Sequence, residues 1–181
     1  NRGFSHRLLR CSCVIWQFKN LDELKAKYNE VINVLENSYD GEVNTPDVQR
    51  LKGMIREFEE ELVWAYNGVS VKNVHHLHLG FYQDKGITKG PNMQRDVMPI
   101  LNQFREIQPD IISVTLDPEG SGPDTHYKVL QATAAAVSEW SKEKDLSNVR
   151  IYGYRNVWFK FHPAEANMYV PVSLNALAVL D

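Results

Sequence analysis

From residue 20 the apolar positions fall at helical spacing. Leu21, Leu24, Tyr28, Val31, Ile32 and Leu35 recur three and four residues apart, and Asn20 with Glu23 has the spacing of a capping box. Turn-forming residues from Ser38 to Pro46 predict a loop. A second helix follows, with Val48, Leu51, Ile55, Phe58 and Leu62 on one face and an end near Asn67-Gly68. Val74 to Tyr82 reads as a strand and its exit, and Asp84 to Pro91 as a Gly- and Pro-containing loop. Val97, Leu101, Phe104 and Ile107 mark a third helix, with Pro99 either kinking its first turn or preceding its start. The apolar run Ile111 to Leu116 suits a strand buried on both faces. A helix over Thr125 to Trp140 would turn Val129, Thr133, Ala136, Val137 and Trp140 inward, and Val149 to Tyr154 is a further strand. The tail Met168 to Leu180 is apolar without clear register, which suits a partner surface or a missing neighbouring element.

Alternating strands and helices predict an α/β domain, Rossmann-like, with a mainly parallel sheet and helices on both faces. Such domains open on a buried strand, and residues 1–19 do not supply one. The expected organisation is therefore an atypical N-terminal segment (1–19) followed by a single domain (20–181) that reads as though its first βα unit were absent, as in a fragment of a longer protein.

Charge and cysteine content narrow the class only a little. The chain has 181 residues and a formal net charge of -3, so nothing in it asks for nucleic acid. Arg2, His6, Arg7 and Arg10 resemble a signal-peptide n-region, but the apolar run Cys13 to Trp16 is short and meets Gln17 and Lys19. Neither a signal peptide nor a membrane span is expected, and the location expected is cytoplasmic. Cys11 and Cys13 lie too close to pair comfortably with each other. Reduced thiols are the simple reading and a metal-binding Cys-x-Cys the other.

The chemistry concentrates after the strand ending at Leu116. Ligands of open parallel sheets collect outside the carboxyl ends of the strands, and there the chain runs Asp117-Pro118-Glu119-Gly120-Ser121-Gly122-Pro123-Asp124-Thr125-His126. The two glycines permit sharp bends and the prolines stiffen the loop. Asp124 is expected to cap the following helix, placing His126 in its first turn, where the helix dipole favours the neutral imidazole that binds metals. A Gly-rich strand-to-helix loop can instead hold phosphate. Asp117, Glu119 and Asp124 precede the first cation, Lys128, and three carboxylates suit a divalent cation better than a phosphate. A capped helix carrying a surface histidine is the plain structural alternative.

Pro109 to Leu130 resembles the second motif of the LmbE/PIG-L family, zinc-dependent deacetylases of N-acetylglucosamine-type sugars. More narrowly, it resembles the C-terminal LmbE-like domain of bacterial glucosamine-6-phosphate deaminase/isomerase-type proteins; Val74 to Tyr82 and Tyr154 to Pro163 fit that domain too. The resemblance spans residues 45–181 and is specific over 109–130. It implies that His126 is a zinc ligand and that Asp124 falls near the motif's catalytic aspartate. It departs from the family where His-Pro-Asp-His is usual. Gly122 replaces the first histidine, Thr125 is added before His126, and the His-Pro-Asp-Asp motif supplying the other ligands and the general base is absent from the chain. One histidine cannot hold catalytic zinc, which normally has three protein ligands.

The resemblance thus implies a parent activity of metal-dependent hydrolysis of the N-acetyl group of an amino sugar or amino-sugar phosphate, with this chain incomplete as a catalyst. The alternative is a non-catalytic sugar-binding or assembly domain attached to an amino-sugar phosphate isomerase/deaminase, either fused to it or forming a homo-oligomer. A third reading is a remnant that only folds and oligomerises. Arg155 and Asn156, with Asp117 and Glu119, are the candidate substrate-binding residues. His76 and His78 would share a face of the predicted strand, with His75 opposite, so that they form either a metal pair or core contacts. His162 follows the last strand; Trp140, Trp158 and Phe159 are either sugar platforms or core; Lys128 is expected to be solvated.

Overall fold

A computed structural model describes residues 2–81, 89–120, 122–155 and 160–177. The chain divides into two compact units: one holds residues 2–78, the other 79–81 and 89 onward.

The first unit is helical. The segment expected to be atypical forms α1 (Arg2–Trp16). Phe4 on this helix meets Phe58 with ring centroids 6.1 Å apart, and Arg7 lies over the same ring while its Nη2 donates to Glu61 Oε1 at 3.0 Å. Helix α2 (Leu21–Asn37) begins where Asn20 Oδ1 accepts from the N–H groups of Asp22 and Glu23, as the cap signature predicts. Ser12 is fully buried, with its Oγ 2.6 Å from Tyr28 Oη, and Trp16 meets the Tyr28 ring edge-on at 5.6 Å. Helix α3 (Pro46–Tyr66) starts with Thr45 as cap and Pro46 in its first turn; Gly68, at φ 83, follows its end. No described helix is long and apolar enough to cross a membrane.

The expected strand at Val74 to Tyr82 does not form among its described residues. A single 3₁₀ turn (Val71–Asn73) is followed by irregular chain, and His78 takes a left-handed φ of 48. Alternating side chains do not make a strand unless a neighbouring strand accepts its backbone hydrogen bonds, and a left-handed residue interrupts the extended run.

The second unit carries the α/β part. A short π-helical segment (Met93–Val97) leads directly into α4 (Met98–Ile107), whose first turn accommodates Pro99 without a break. Strand β1 (Ile111–Thr115), helix α5 (Asp124–Trp140) and strand β2 (Arg150–Tyr154) form one strand–helix–strand unit, with β1 and β2 parallel and in register from Ile111↔Arg150 to Thr115↔Tyr154. The architecture is α/β with a small parallel two-stranded sheet, compatible with part of a Rossmann-like domain. Ile100, Leu101 and Phe104 of α4, Ile112 and Val114 of β1, and Ala132, Ala136 and Trp140 of α5 are buried. Trp140 stacks on Phe104 at 5.4 Å.

Strand β1 departs from expectation, because it is not buried on both faces: Ile112 and Val114 point inward while Ile111 is 54% exposed. The reason is packing order, since α5 covers β1 and α4 packs chiefly on α5, and among the described residues no helix packs as closely on the other face of this short sheet. The inward stripe of α5 is also displaced, and it includes Lys128 with Ala132, Ala136 and Trp140. Lys128 is therefore buried rather than solvated, because the four-residue spacing places it on the packed face.

Candidate functional site

The carboxyl ends of β1 and β2 lie side by side. Leu116 N–H donates to the Tyr154 carbonyl at 2.8 Å, extending the pairing by one step before the chains part. Beyond it Asp117 is 5% exposed and Arg155 follows β2 directly.

The loop folds around Asp117. A turn closes where Gly120 N–H meets the Asp117 carbonyl at 3.2 Å, with Gly120 at φ 63, a conformation that favours glycine. The Asp117 carboxylate then accepts the Gly122 N–H at 2.7 Å. A Cβ on Gly122 would lie 3.0 Å from Asp117 Oδ2 and 3.7 Å from His126 Nδ1. The imidazole and the buried carboxylate thus converge on Gly122. Gly122 is built into the loop, because any side chain there would press on Asp117.

Asp124 is the first residue of α5 and not its cap; Pro123 occupies the cap position, and its carbonyl accepts the His126 N–H at 2.8 Å. The proline-stiffened loop enters the helix one residue earlier than the cap preference of aspartate suggests. The exposed Asp124 carboxylate pairs with the buried Lys128 one turn on. Reading Lys128 as solvated hides that pairing.

From the β2 side, Arg155 Nη2 lies 3.0 Å from each Glu119 oxygen, linking two of the predicted residues. Its guanidinium sits over the Phe161 ring at 5.1 Å. The hydrogen bond from Arg155 holds the Glu119 carboxyl below the usual range, and Glu119 in turn raises the arginine, with Asp117 and Glu165 adding to it. Asn156, Trp158 and Phe159 lie outside the described residues.

The remaining histidines take other roles. His76 Nε2 is 3.8 Å from Glu61 and His78 Nε2 3.4 Å from Glu57, both on α3, and His75 is exposed. They are neither strand neighbours nor core residues. His162 Nδ1 accepts the Ala164 N–H at 3.2 Å within an exposed turn. Trp140 is core. Cys11 and Cys13 are free thiols.

Sequence reasoning also misses Asp96. It is fully buried and accepts from the N–H groups of Gly80 at 2.7 Å and Asn92 at 2.8 Å and from Arg95 Nη2 at 2.6 Å. Burial pushes its carboxyl up, but Arg95 and the two backbone donors outweigh that and hold it below its ordinary value. Asn92 as a helix cap is a visible signal; the burial of Asp96 is not.

Among the described residues no group of three or more His, Cys, Asp and Glu converges on one point. The loop offers one imidazole, so the described residues do not fit a complete zinc site.

No protein-family model and no solved structure matches the chain. It is 34% identical over 163 residues to a protein of Bacteroides thetaiotaomicron named "Putative glucosamine-6-phosphate deaminase-like protein". The alignment covers 86% of this chain and 24% of that relative, so the chain spans about a quarter of the relative's length.

Proposed function

We propose that this chain is the amino-sugar-handling part of a longer protein related to the deaminase-like relative, of LmbE type, whose parent activity is metal-dependent hydrolysis of the N-acetyl group of an amino sugar or its phosphate. The observation that carries this reading is the convergence of His126 and the buried Asp117 on Gly122 at the carboxyl edge of a parallel strand pair. Asp117, Glu119 and Arg155 supply hydrogen-bonding groups for sugar hydroxyls at that edge, and Asn156 is the fourth candidate. Zinc is the metal the family resemblance implies. His126 would be this loop's contribution to it, with further ligands coming from outside the described residues. Lys128 pairs with Asp124 and so holds the carboxylate in the role proposed for it near the catalytic centre.

The second reading is a sugar-binding or assembly domain without chemistry of its own, and the incomplete donor set of the described residues favours it. The two separate experimentally. Bound zinc and acetate release from N-acetylglucosamine and its 6-phosphate would be measured on the longer protein, with and without His126→Ala. Joint loss of metal and acetate release is expected. Wild-type values of both in the variant would remove His126 from the activity. Sugar binding without acetate release in the wild type would favour the non-catalytic reading.

A further inference from the structure

Burial in the Arg155–Glu119 pair is lopsided. The arginine side chain is 12% exposed and the glutamate side chain 60%. Arg155 is fixed by its place at the end of β2 and by the Phe161 ring beneath it, whereas Glu119 stands on the exposed turn that begins at Asp117. The guanidinium is also under-used: its Nε is buried and has no hydrogen-bond partner among the described residues, and its Nη2 holds both Glu119 oxygens. An arginine buried for structure alone ordinarily has its N–H groups met by several acceptors. Here, among the described residues, the direct ion pair comes from one side chain presented from solvent, which is how a bound anion would sit on the guanidinium.

We propose that Arg155 is an anion subsite that Glu119 fills from within the chain, so that the carboxyl edge accepts a neutral amino sugar and turns away a phosphate ester while Glu119 is in place. The subsite stands on the Arg155 geometry alone; the consequence for the sugar rests on the function proposed above. Two further observations agree with it. Asp117 and Glu165 add negative charge around the arginine, which repels a dianion. Lys128, the cation in the first turns of α5, is itself engaged by Asp124.

Inorganic phosphate is the probe for the subsite, titrated calorimetrically at fixed pH and ionic strength into the wild type, Glu119→Gln, and Glu119→Gln combined with Arg155→Met. Glu119→Gln is expected to bind phosphate about tenfold more tightly than the wild type, the change that one charge-assisted hydrogen bond carries. That gain should vanish in the double variant. Because Arg155→Met removes a largely buried side chain, Glu119→Gln with Arg155→Lys serves as the second control; it keeps the charge without the planar fork and is expected to retain only part of the gain. No gain in Glu119→Gln, or a gain that survives Arg155→Met, overturns the proposal. N-acetylglucosamine and its 6-phosphate are titrated in parallel, and the preference for the unphosphorylated sugar should shrink in Glu119→Gln. A phosphate gain with no sugar binding by any variant would uphold the subsite and reject the amino-sugar reading. Sugar binding with no phosphate gain would do the reverse.

Discussion

Helices α2 and α3 show the same apolar spacing as α4 and α5, yet the two pairs bury it very differently. Within residues 2–78 the buried apolar side chains are Leu24, Val31 and Val48, while Ile32, Leu35, Leu62, Val63 and Trp64 are exposed. In the second unit Val97, Ile100, Leu101, Phe104, Ala132, Ala136 and Trp140 are buried from helices alone, and Leu79, Phe81, Ile112 and Val114 join them. A 3.6-residue period says which side of a helix is apolar, but burial needs a second surface at packing distance. The parallel pair β1–β2 with α5 provides that surface in one unit. The candidate site stands on the unit with the firm core, where supporting side chains can hold polar groups in place.

The sharpest way to break this comparison is a pair of tryptophans. Trp140→Ala empties a site that is 1% exposed and is expected to cost about 3–5 kcal/mol in a denaturant titration. Trp64→Ala, at a residue 45% exposed, should stay within about 1 kcal/mol. Similar losses for the two would mean that the units are packed alike.

Asp96 comes next. Replacing it by alanine strands two backbone N–H groups and Arg95, an expected loss of about 2–4 kcal/mol. Its folded carboxyl titrates below the ordinary 3.8, so its contribution is present above that value and is lost as pH falls through the lower, folded value. An Asp96→Asn variant should therefore show a shallower acid limb of stability than the wild type below pH 3.8, measured by denaturation across the acid range. Parallel acid limbs would remove Asp96 from the linkage.

Lys128→Met is the smallest expected effect. The buried stem would be replaced by an apolar side chain of similar length and the ion pair with the exposed Asp124 lost, so stability should move by less than about 1 kcal/mol. A large loss would show that the Lys128–Asp124 pair organises the start of α5 and is not an adjunct of the loop.

Much of this is legible in the residues. The Asn20 cap, the bounds of α3 and α5, and the apolar runs that become the strands flanking α5 follow from local spacing and end signals, because those depend on residues within a few positions of one another. Helix α1 does not, and its Phe4 and Arg7 meet α3 residues more than fifty positions away. The strand expected at Val74 to Tyr82 has the right alternation, but His78 leaves the extended region and its neighbours remain irregular.

The loop from Asp117 to His126 divides in the same way. Its residue types alone determined that glycine-permitted bends, carboxylates and one imidazole would meet a helix start beyond a strand, since backbone freedom and charge are properties of the residues themselves. Only the tertiary structure decided that Asp117 would be buried and hold Gly122, that Lys128 would turn inward to Asp124, and that Glu119 would reach Arg155 on the neighbouring strand's end. Those pairings join side chains through the parallel register of β1 and β2 and the packed face of α5, and neither is encoded within reach of the loop itself.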